Sequence, residues 1–435
     1  MNIFEFTLQL NGYPIAKAKR RLLEIQAISE VDYKEYVLNK RREIVEFHLK
    51  NNPFYSRFVG SESFSDWNSI PVMQKSDLQT PMAQRLSRGF TKKNAYVNKT
   101  SGSSGHPFIF AKDKYAHALS WAEFIDRYNW FNLNFKNSLQ ARFYGIPLNT
   151  VGYQKERLKD RFSARYRFPI FDLSEEKMEH FLTVFRRKEF EYINGYTSSI
   201  VLFAKFLQRK NIILKNVCPS LRFCIVTSEM LFEDDKNLLK STFGVSVVNE
   251  YGASELGLIG FTNKADDFVA NSECLFIEIL DQNSNPVPNG MPGRIVITSF
   301  YNKAHPIIRY DIGDTGILSA TSTLKRPIIE KLIGRTNDVA KLPSGKTVPG
   351  LTFYYVTKSI IEDDGNVKEF IIIQLELDVF KIMYNSYKPL TTKEKGKIQK
   401  ALFTYLENKL NLEFERVAVL ERSNSGKLKQ FISKL

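Results

Sequence analysis

Apolar residues recur every three and four positions over residues 15–50, and this spacing places them on one face of a helix. The pattern predicts two helices, of which "NNPFYSRF" (51–58) ends the second. Residues 114–135 show the same period and predict another amphipathic helix. Because no stretch approaches the roughly 18 apolar residues that a membrane-spanning helix needs, we predict no transmembrane segment.

From about residue 138 the pattern changes to short apolar runs separated by helical periods. The predicted strands are "SLQARFYGI" (138–146), "EYINGY" (191–196), "LRFCIVTSE" (221–229) and "VSVVNEYG" (245–252). The predicted helices are 177–188, 199–210 and 235–244. Strands that alternate with helices predict an α/β fold with a mainly parallel sheet flanked by helices. Ligands bind such sheets at the carboxyl ends of the strands.

Beyond about residue 274 the chain reads as short strands and turns, which predicts a small antiparallel β subdomain over about 274–336. The tail then reads as strand, helix and strand, which predicts a small α+β domain. The turn-rich stretch 334–350 favours a boundary between an N-terminal domain (1–336) and a C-terminal domain (337–435).

The formal net charge of +15 makes polyanions plausible partners, but the basic residues are scattered among acidic ones. No sustained basic tract or zinc-finger spacing supports nucleic-acid binding, and we expect no nucleic-acid partner. The three cysteines and five histidines form no metal-ligand pattern. An odd, sparse cysteine count fits a reducing compartment, and without a leader-like amino terminus we predict a cytoplasmic protein.

A glycine- and hydroxyl-rich stretch, "TSGSSG" (100–105), lies between two predicted strands. Glycines let backbone N–H groups converge on an anion, and serine and threonine hydroxyls add donors suited to phosphate oxygens. The stretch is not a Walker A loop, since no Gly-Lys-Ser/Thr ends it. Taken alone, a stretch of this composition is more often a flexible connection.

Two further motifs suit a nucleotide. In "NEYGASELG" (249–257), Tyr251 could stack on a purine, Ser254 could donate to phosphate and Glu255 could hold Mg²⁺. In "IIRYDIGDTG" (307–316) we expect a turn that brings Arg309, Asp311 and Asp314 together, so that a carboxylate accepts both ribose hydroxyls. The structural alternatives are a strand-ending turn and a charged hairpin held by an Arg–Asp pair.

Two basic motifs complete the set. "IGRTNDV" (333–339) offers Arg335 to ribose or phosphate, and "RSNSGKLKQ" (422–430) presents Lys427 after a glycine. A terminal basic turn could also be simply solvated. In order and approximate spacing, the five motifs resemble those of the adenylate-forming enzymes. From about residue 35 to the C-terminus the chain resembles the branch of phenylacetate–CoA ligases, coenzyme F390 synthetases and proteins of capsular-polysaccharide biosynthesis.

This resemblance implies an ATP site. The loop of Thr100, Ser101, Gly102, Ser103, Ser104 and Gly105 would cover the phosphates. Tyr251, Gly252 and Ser254 would contact adenine and phosphate, Glu255 would hold Mg²⁺, and Asp314 and Arg335 would bind the ribose and phosphates. Ser228 and Glu229 would follow the strand that lines the adenine and acyl sites. Lys427, on a mobile C-terminal lid, would bridge the carboxylate and the α-phosphate.

The resemblance also implies a hinge at Asn337, where the family usually has aspartate. The acyl pocket would lie near Phe143, Tyr144 and Tyr196, whose rings suit an aryl or medium-sized acid. The loop after the hinge lacks the usual hydrophobic–Glu ending of the ligase branch, so the acceptor is the weakest point of the likeness.

The implied activity is ATP-dependent formation of an acyl-AMP followed by transfer to CoA. Two alternatives stay open: acyl transfer to a sugar, an amine or a carrier, and transfer of AMP itself as in F390 synthetases. A basic nucleic-acid-binding protein and a nucleotide-holding protein without turnover are the readings outside this enzyme class. The sequence leaves the acid and the oligomeric state open, a homodimer included.

Overall fold

The computed structural model describes residues 3–60, 66–100, 109–144, 154, 160, 163–170, 173–335, 339–349, 366–405, 407, 408, 410–422 and 428–435. The helices are α1 (Ile3–Leu10), α2 (Ile15–Gln26), α3 (Tyr33–Asn51), α4 (Pro53–Val59), α5 (Met82–Arg85), α6 (Lys114–Asn129), α7 (Glu175–Arg187), α8 (Thr197–Arg209), α9 (Leu214–Val217), α10 (Glu233–Phe243) and α11 (Thr392–Tyr405). Within these residues, no helix is both long and apolar enough to cross a membrane.

The strands form a hairpin, a large sheet, an antiparallel sheet and a C-terminal group. They are β1 (Ala95–Lys99), β2 (Ile109–Asp113), β3 (Gln140–Tyr144), β4 (Arg165–Pro169), β5 (Tyr192–Tyr196), β6 (Phe223–Thr227), β7 (Ser246–Ala253), β8 (Gly257–Thr262), β9 (Phe268–Ala270), β10 (Leu275–Leu280), β11 (Gly293–Ser299), β12 (Tyr310–Leu318), β13 (Ile329–Arg335), β14 (Val339–Lys341), β15 (Thr347–Pro349), β16 (Val367–Gln374), β17 (Val379–Ser386), β18 (Asn411–Arg416) and β19 (Phe431–Ser433).

The central sheet has seven strands in the order β4-β3-β5-β6-β7-β8-β9. The pairs from β4 to β7 are parallel, and β8 and β9 add antiparallel strands at one edge. Helices α7, α8 and α10 cover one face with the largest apolar cluster of the protein. Helix α6 packs on the other face through Tyr128. The predicted α/β architecture is confirmed.

The start of α6 shows how local sequence fixes an element. Asp113 ends β2, and its Oδ1 accepts hydrogen bonds from the backbone N–H groups of Tyr115 and Ala116, both at 2.9 Å. A side chain that caps the unpaired N–H groups of the first turn stabilises a helix by about 1 kcal/mol. The same residue therefore joins the hairpin that carries the glycine- and serine-rich stretch to the helix beneath the sheet.

The two predicted smaller parts are also present. Strands β10-β11-β12-β13 form a four-stranded antiparallel sheet, and β18-β17-β16-β19 form a mixed sheet that packs with α11. Residues Ala340, Leu342 and Val348 already pack with this last group. The predicted hinge residue Asn337 lies outside the described residues, so the boundary at 336/337 stays a prediction.

Candidate active site at the carboxyl edge of the central sheet

The carboxyl ends of β3, β5, β6 and β7 meet along one edge of the central sheet, since these strands are parallel. Ser228 follows β6 directly, is exposed and has a positive φ of 70°. A non-glycine residue in this left-handed region is uncommon and often lies at a functional turn. The resemblance found in the sequence predicts the adenine and acyl sites at this edge.

Tyr251 and Asp314 come together beside this edge. The hydroxyl of Tyr251 donates a hydrogen bond to Oδ2 of Asp314 at 2.6 Å, which joins β7 to the antiparallel subdomain. Asp314 on β12 lies opposite Arg335 on β13 in the strand register. Three of the predicted nucleotide-binding positions are therefore neighbours in space.

The prediction of a turn at 307–316 was wrong. This segment enters strand β12, which tolerates two register shifts and a positive φ of 81° at Gly313. Asp311 pairs with Arg294, with 2.7 Å between Oδ2 and Nη1. The glycine and paired carboxylates that suggested a turn belong instead to an irregular strand.

Arg309 is likewise not part of a cluster with the two aspartates. Its side chain is fully buried, donates to backbone carbonyls of Asn68 and Ile70, and lies 3.4 Å from a carboxylate oxygen of Glu278. It therefore anchors the segment before α5 to the antiparallel sheet.

Glu255 is a buried carboxylate just beyond β7. The hydroxyl of Tyr310 donates to its Oε1 at 3.2 Å, and burial raises the pKa of Glu255 while the positive charges of Lys112 and Lys75 lower it. Burial in turn lowers the pKa of Lys112 to about 8. A single carboxylate suits Mg²⁺ where a substrate supplies phosphates, because Mg²⁺ is commonly held by one or two carboxylates and the substrate's phosphates. The described residues contain no group of three or more acidic, histidine or cysteine ligands.

Gly252 and Ser254 lie between Tyr251 and Glu255 in the chain. A Cβ added at Gly252 would come within 2.9 Å of the carbonyl oxygen of Gly257, so the β7–β8 turn requires glycine there. Ser254 is exposed at the tip of this turn. The motif therefore holds Tyr251 and Glu255 at a fixed separation around a tight reversal.

Glu229 binds two backbone N–H groups, and the resemblance did not predict these contacts. Its carboxylate accepts one hydrogen bond from the backbone N–H of Ser198, at the start of α8, at 2.7 Å. It accepts a second from the backbone N–H of Leu428 at 3.0 Å. Leu428 directly follows Lys427, so the carboxyl end of β6 is joined to the C-terminal motif. Arg422 adds a hydrogen bond to the hydroxyl of Ser198 at 3.1 Å.

The three aromatic residues predicted for the acyl pocket divide between two faces of the sheet. The rings of Tyr144 and Tyr196 lie 4.6 Å apart at the carboxyl edge. Phe143 points to the opposite face, is fully buried and stacks on Phe168 at 4.9 Å. Phe143 and Tyr144 face opposite sides of β3 because neighbouring residues of a strand alternate, and the place of Phe143 in an acyl pocket stays a prediction.

Strand β1 ends immediately before the predicted phosphate-binding stretch 100–105 and pairs with β2, with Lys99 opposite Ile109. Thr100 follows β1 and is half-buried. The remaining predicted residues of this site lie outside the described part of the chain: Ser101, Gly102, Ser103, Ser104, Gly105, Asn337 and Lys427.

Sequence reasoning missed Lys112, Glu250 and Arg142. Each is a charged residue inside a strand, and Lys112 and Glu250 are buried. Charged residues near the carboxyl ends of strands that are covered on both faces were the signal that could have found Arg142 and Glu250.

The global fold matches a known class. The solved structure of 2-hydroxyisobutyryl-CoA ligase in the postadenylation state, in complex with R3-HIB-AMP, has a TM-score of 0.69 at 15% identity and covers 93% of this chain and 90% of that one. The same protein in the thioesterification state, with 2-HIB-AMP and CoA, gives a TM-score of 0.56 at 14% identity, over the same shares. The chain has the fold of this CoA ligase, and the fold implied by the sequence resemblance is confirmed.

Two relatives are also similar to this chain in sequence, over about 70% of its length. Protein CapK of Staphylococcus aureus is 23% identical over 338 residues, which cover 72% of this chain and 71% of CapK. Phenylacetate-coenzyme A ligase of Thermus thermophilus is 23% identical over 314 residues, which cover 68% of this chain and 69% of the ligase. No family model matches the chain.

Proposed function

We propose that this protein activates a carboxylic acid with ATP as an acyl adenylate and then transfers the acyl group to CoA. The observation that carries the proposal is the 3.0 Å hydrogen bond from the backbone N–H of Leu428 to Glu229. It joins Leu428, the residue after Lys427 in the sequence, to the residue two positions beyond β6, and β6 is the neighbour of β7, the strand that carries Tyr251.

Nucleotide binding uses the residues around β7 and β12. Tyr251 offers an aromatic face to adenine, while Asp314 and Arg335 bind the ribose and phosphates from neighbouring strands. The contact between Tyr251 and Asp314 holds both side chains in place before ATP arrives. The loop from Thr100 to Gly105, with Ser228, Gly252 and Ser254, supplies further N–H and hydroxyl donors.

The chemical step joins two anions, so positive charge must be brought to the α-phosphate. Glu255 would hold Mg²⁺, which neutralises phosphate charge. Lys427 binds the substrate carboxylate and the α-phosphate together. A carboxylate oxygen forms the new bond to the α-phosphorus, the bond to the β-phosphate oxygen breaks, and pyrophosphate leaves.

In the second step the CoA thiolate attacks the acyl carbonyl, and AMP leaves with the anhydride oxygen. We expect the C-terminal domain (337–435) to turn about Asn337 between the steps, which lets one site run two reactions. The contacts of Glu229 with Leu428 and of Arg422 with Ser198 would break in this turn. The higher TM-score with the postadenylation structure agrees with an arrangement suited to the first step.

A second acceptor is the main alternative. The likeness to CapK supports this alternative, in which the acyl group passes to a sugar or carrier in polysaccharide biosynthesis. AMP transfer, as in F390 synthetases, would need no acyl acceptor. The first step is common to the two acyl-transfer readings, whereas the products differ.

ATP–pyrophosphate exchange tests the proposal. Purified protein is incubated with ATP, Mg²⁺, labelled pyrophosphate and one acid at a time from aryl, fatty, hydroxy and amino acid sets. We expect one set to stimulate exchange and the matching acid to release AMP only when CoA is added. AMP release that ignores CoA and requires a sugar or carrier would favour the alternative. Absence of exchange with every acid would contradict the proposal.

A further inference from the structure

The carboxyl ends of four strands place one row of side chains on the α6 side of the central sheet. Tyr196, Thr227 and Glu250 pair across β5, β6 and β7, and Tyr144 continues the row through its ring contact with Tyr196. Two residues nearer the middle of the sheet, Arg142 pairs with Asn194. We use the name polar row for both sets together: Tyr144, Tyr196, Thr227, Glu250, Arg142 and Asn194.

The polar row has more polar and charged side chains than the interior of a covered parallel sheet usually contains. Glu250 accepts a hydrogen bond from the hydroxyl of Tyr128 at 2.8 Å and bonds to Thr227. Burial raises the pKa of Glu250, and Arg142 opposes that rise. A parallel sheet covered on both faces is ordinarily apolar throughout, because buried polar groups cost free energy unless they are paired.

Arg142 is the least satisfied member of the polar row. It is half-buried, its guanidinium stacks 4.0 Å above the ring of Tyr144, and its one hydrogen bond to a described residue is a long 3.5 Å contact with Gln140. Its Nε is buried and has no hydrogen-bond partner among the residues that the structure describes. An arginine offers five donors and no acceptor, so its remaining capacity can only be met by an oxygen-like acceptor.

The positive charges around Arg142 also favour binding of an acceptor oxygen. Arg142 lies directly opposite Arg167 in the register of β3 and β4. Asp160 binds Arg167 at 2.9 Å and also binds Arg165, so it is already shared by two guanidinium groups. Like charges opposite each other on neighbouring strands are destabilising unless an anion lies between or beside them. Among the described residues, Arg142 therefore keeps hydrogen-bonding capacity that an acceptor oxygen of a ligand would meet.

Resting on the proposed function, we infer that Arg142 binds a second oxygen of the acid, at the end remote from the carboxylate that is activated. Glu255 lies beyond β7, whereas Arg142 lies on β3, three strands and about 14 Å away across the sheet. An acid that enters along the polar row reaches the ATP with one end and Arg142 with the other. The substrate class is thus a hydroxylated acid or a dicarboxylic acid, and the Tyr144 and Tyr196 rings favour an aryl one.

Paired acids test this inference by ATP–pyrophosphate exchange. The probes are benzoate, 4-hydroxybenzoate and terephthalate, with hexanoate, 6-hydroxyhexanoate and adipate as an aliphatic set. In the unmodified protein we expect kcat/KM for at least one oxygen-bearing acid to exceed that of its plain partner by about 10- to 100-fold, as expected for hydrogen bonds to a charged group. A preference for the hydroxyl or for the carboxylate tells the two subclasses apart.

The variant Arg142→Met should bring the oxygen-bearing acid down to its plain partner and leave the plain acid unchanged. Arg142→Lys, which keeps the charge, should retain part of the preference. The matched control is Arg222→Met, at the amino end of β6, where the guanidinium binds Glu191. We expect it to leave the preference intact.

Each outcome decides the inference. Equal or higher kcat/KM for the plain acids in the unmodified protein would overturn it and leave the proposed function standing. An equal loss for both members of a pair in Arg142→Met would show a structural role and also overturn it. No exchange with any acid would overturn the proposed function and this inference with it.

Discussion

Two regions of the central sheet are built from the same strands but differ in chemistry. One is the side that packs against α7, α8 and α10, here called the helix-facing side, and the other is the carboxyl edge. The helix-facing side is apolar throughout, with Ala141, Phe143, Ile193, Val226 and Val247 packed under α7, α8 and α10. The carboxyl edge holds charged and hydroxylated groups, namely Arg142, Thr227, Glu250, Tyr251 and Glu255. On β3 a single step along the strand separates the two environments, because Arg142 and Phe143 face opposite sides of the sheet.

This difference shows where stability and where function are placed. The apolar side stabilises the fold, because burying each large apolar side chain contributes roughly 1.5–3 kcal/mol to the free energy of unfolding. The edge carries buried groups whose pKa is shifted by loss of solvent, as for Glu250 and Glu255. Such groups reduce stability unless they are paired, and their concentration at the edge is what a ligand site requires.

The largest effect is expected from Phe143→Ala. Phe143 is fully buried among Phe168, Phe181 and Phe203, so the variant leaves a cavity and should lose about 3–5 kcal/mol of stability. Thermal unfolding followed by circular dichroism measures the shift, with Phe143→Leu as the milder control. The contrast between the two sides fails if Phe143→Ala unfolds at the original temperature but loses acid selectivity.

Glu255→Gln should act on turnover and leave stability nearly unchanged. The amide keeps an oxygen for Tyr310 but loses the charge that would hold Mg²⁺, so exchange should fall on the order of 100-fold. Titrating Mg²⁺ measures the apparent requirement, which we expect to rise. Full activity at the original Mg²⁺ concentration would move the metal elsewhere.

Asp314→Ala should weaken ATP binding by about 10- to 100-fold, as expected when a charged hydrogen-bond acceptor is removed. Isothermal titration with ATP and Mg²⁺ measures this directly. The control Asp311→Ala removes the carboxylate that pairs with Arg294, and we expect it to lower stability more than ATP affinity. Unchanged ATP affinity in Asp314→Ala would show that the ribose is held by other residues.

The smallest effect is expected from Tyr251→Phe, which keeps the ring and removes only the 2.6 Å hydrogen bond to Asp314. A loss of about 1 kcal/mol, or roughly fivefold in ATP affinity, follows for one hydrogen bond. Tyr251→Ala also removes the stacking surface and should lose more. Equal affinities for the two variants would contradict stacking on adenine.

Periodicity predicted β3, β5, β6 and β7 of the central sheet and the helices α6, α7, α8 and α10 that cover it, because burial on one or both faces leaves a clear pattern. It did not predict β4, β8 and β9 of the same sheet. The motifs at 249–257 and 307–316 correctly brought Tyr251 and Asp314 together, although the second motif is a strand. The strand order and register could not be predicted, and these place Arg142 opposite Arg167. The contact between Glu229 and Leu428 joins positions 199 residues apart, which no local pattern encodes.

Identification of the products of one turnover tests the central claim most directly. The protein is mixed with ATP, Mg²⁺ and an acid that stimulates exchange, CoA is left out, and the quenched mixture is separated and weighed by mass spectrometry. We predict an acyl adenylate and pyrophosphate in equal amounts, and their loss in Lys427→Ala with ATP affinity retained. Formation of ADP and phosphate, or an undiminished acyl adenylate in Lys427→Ala, would contradict the account.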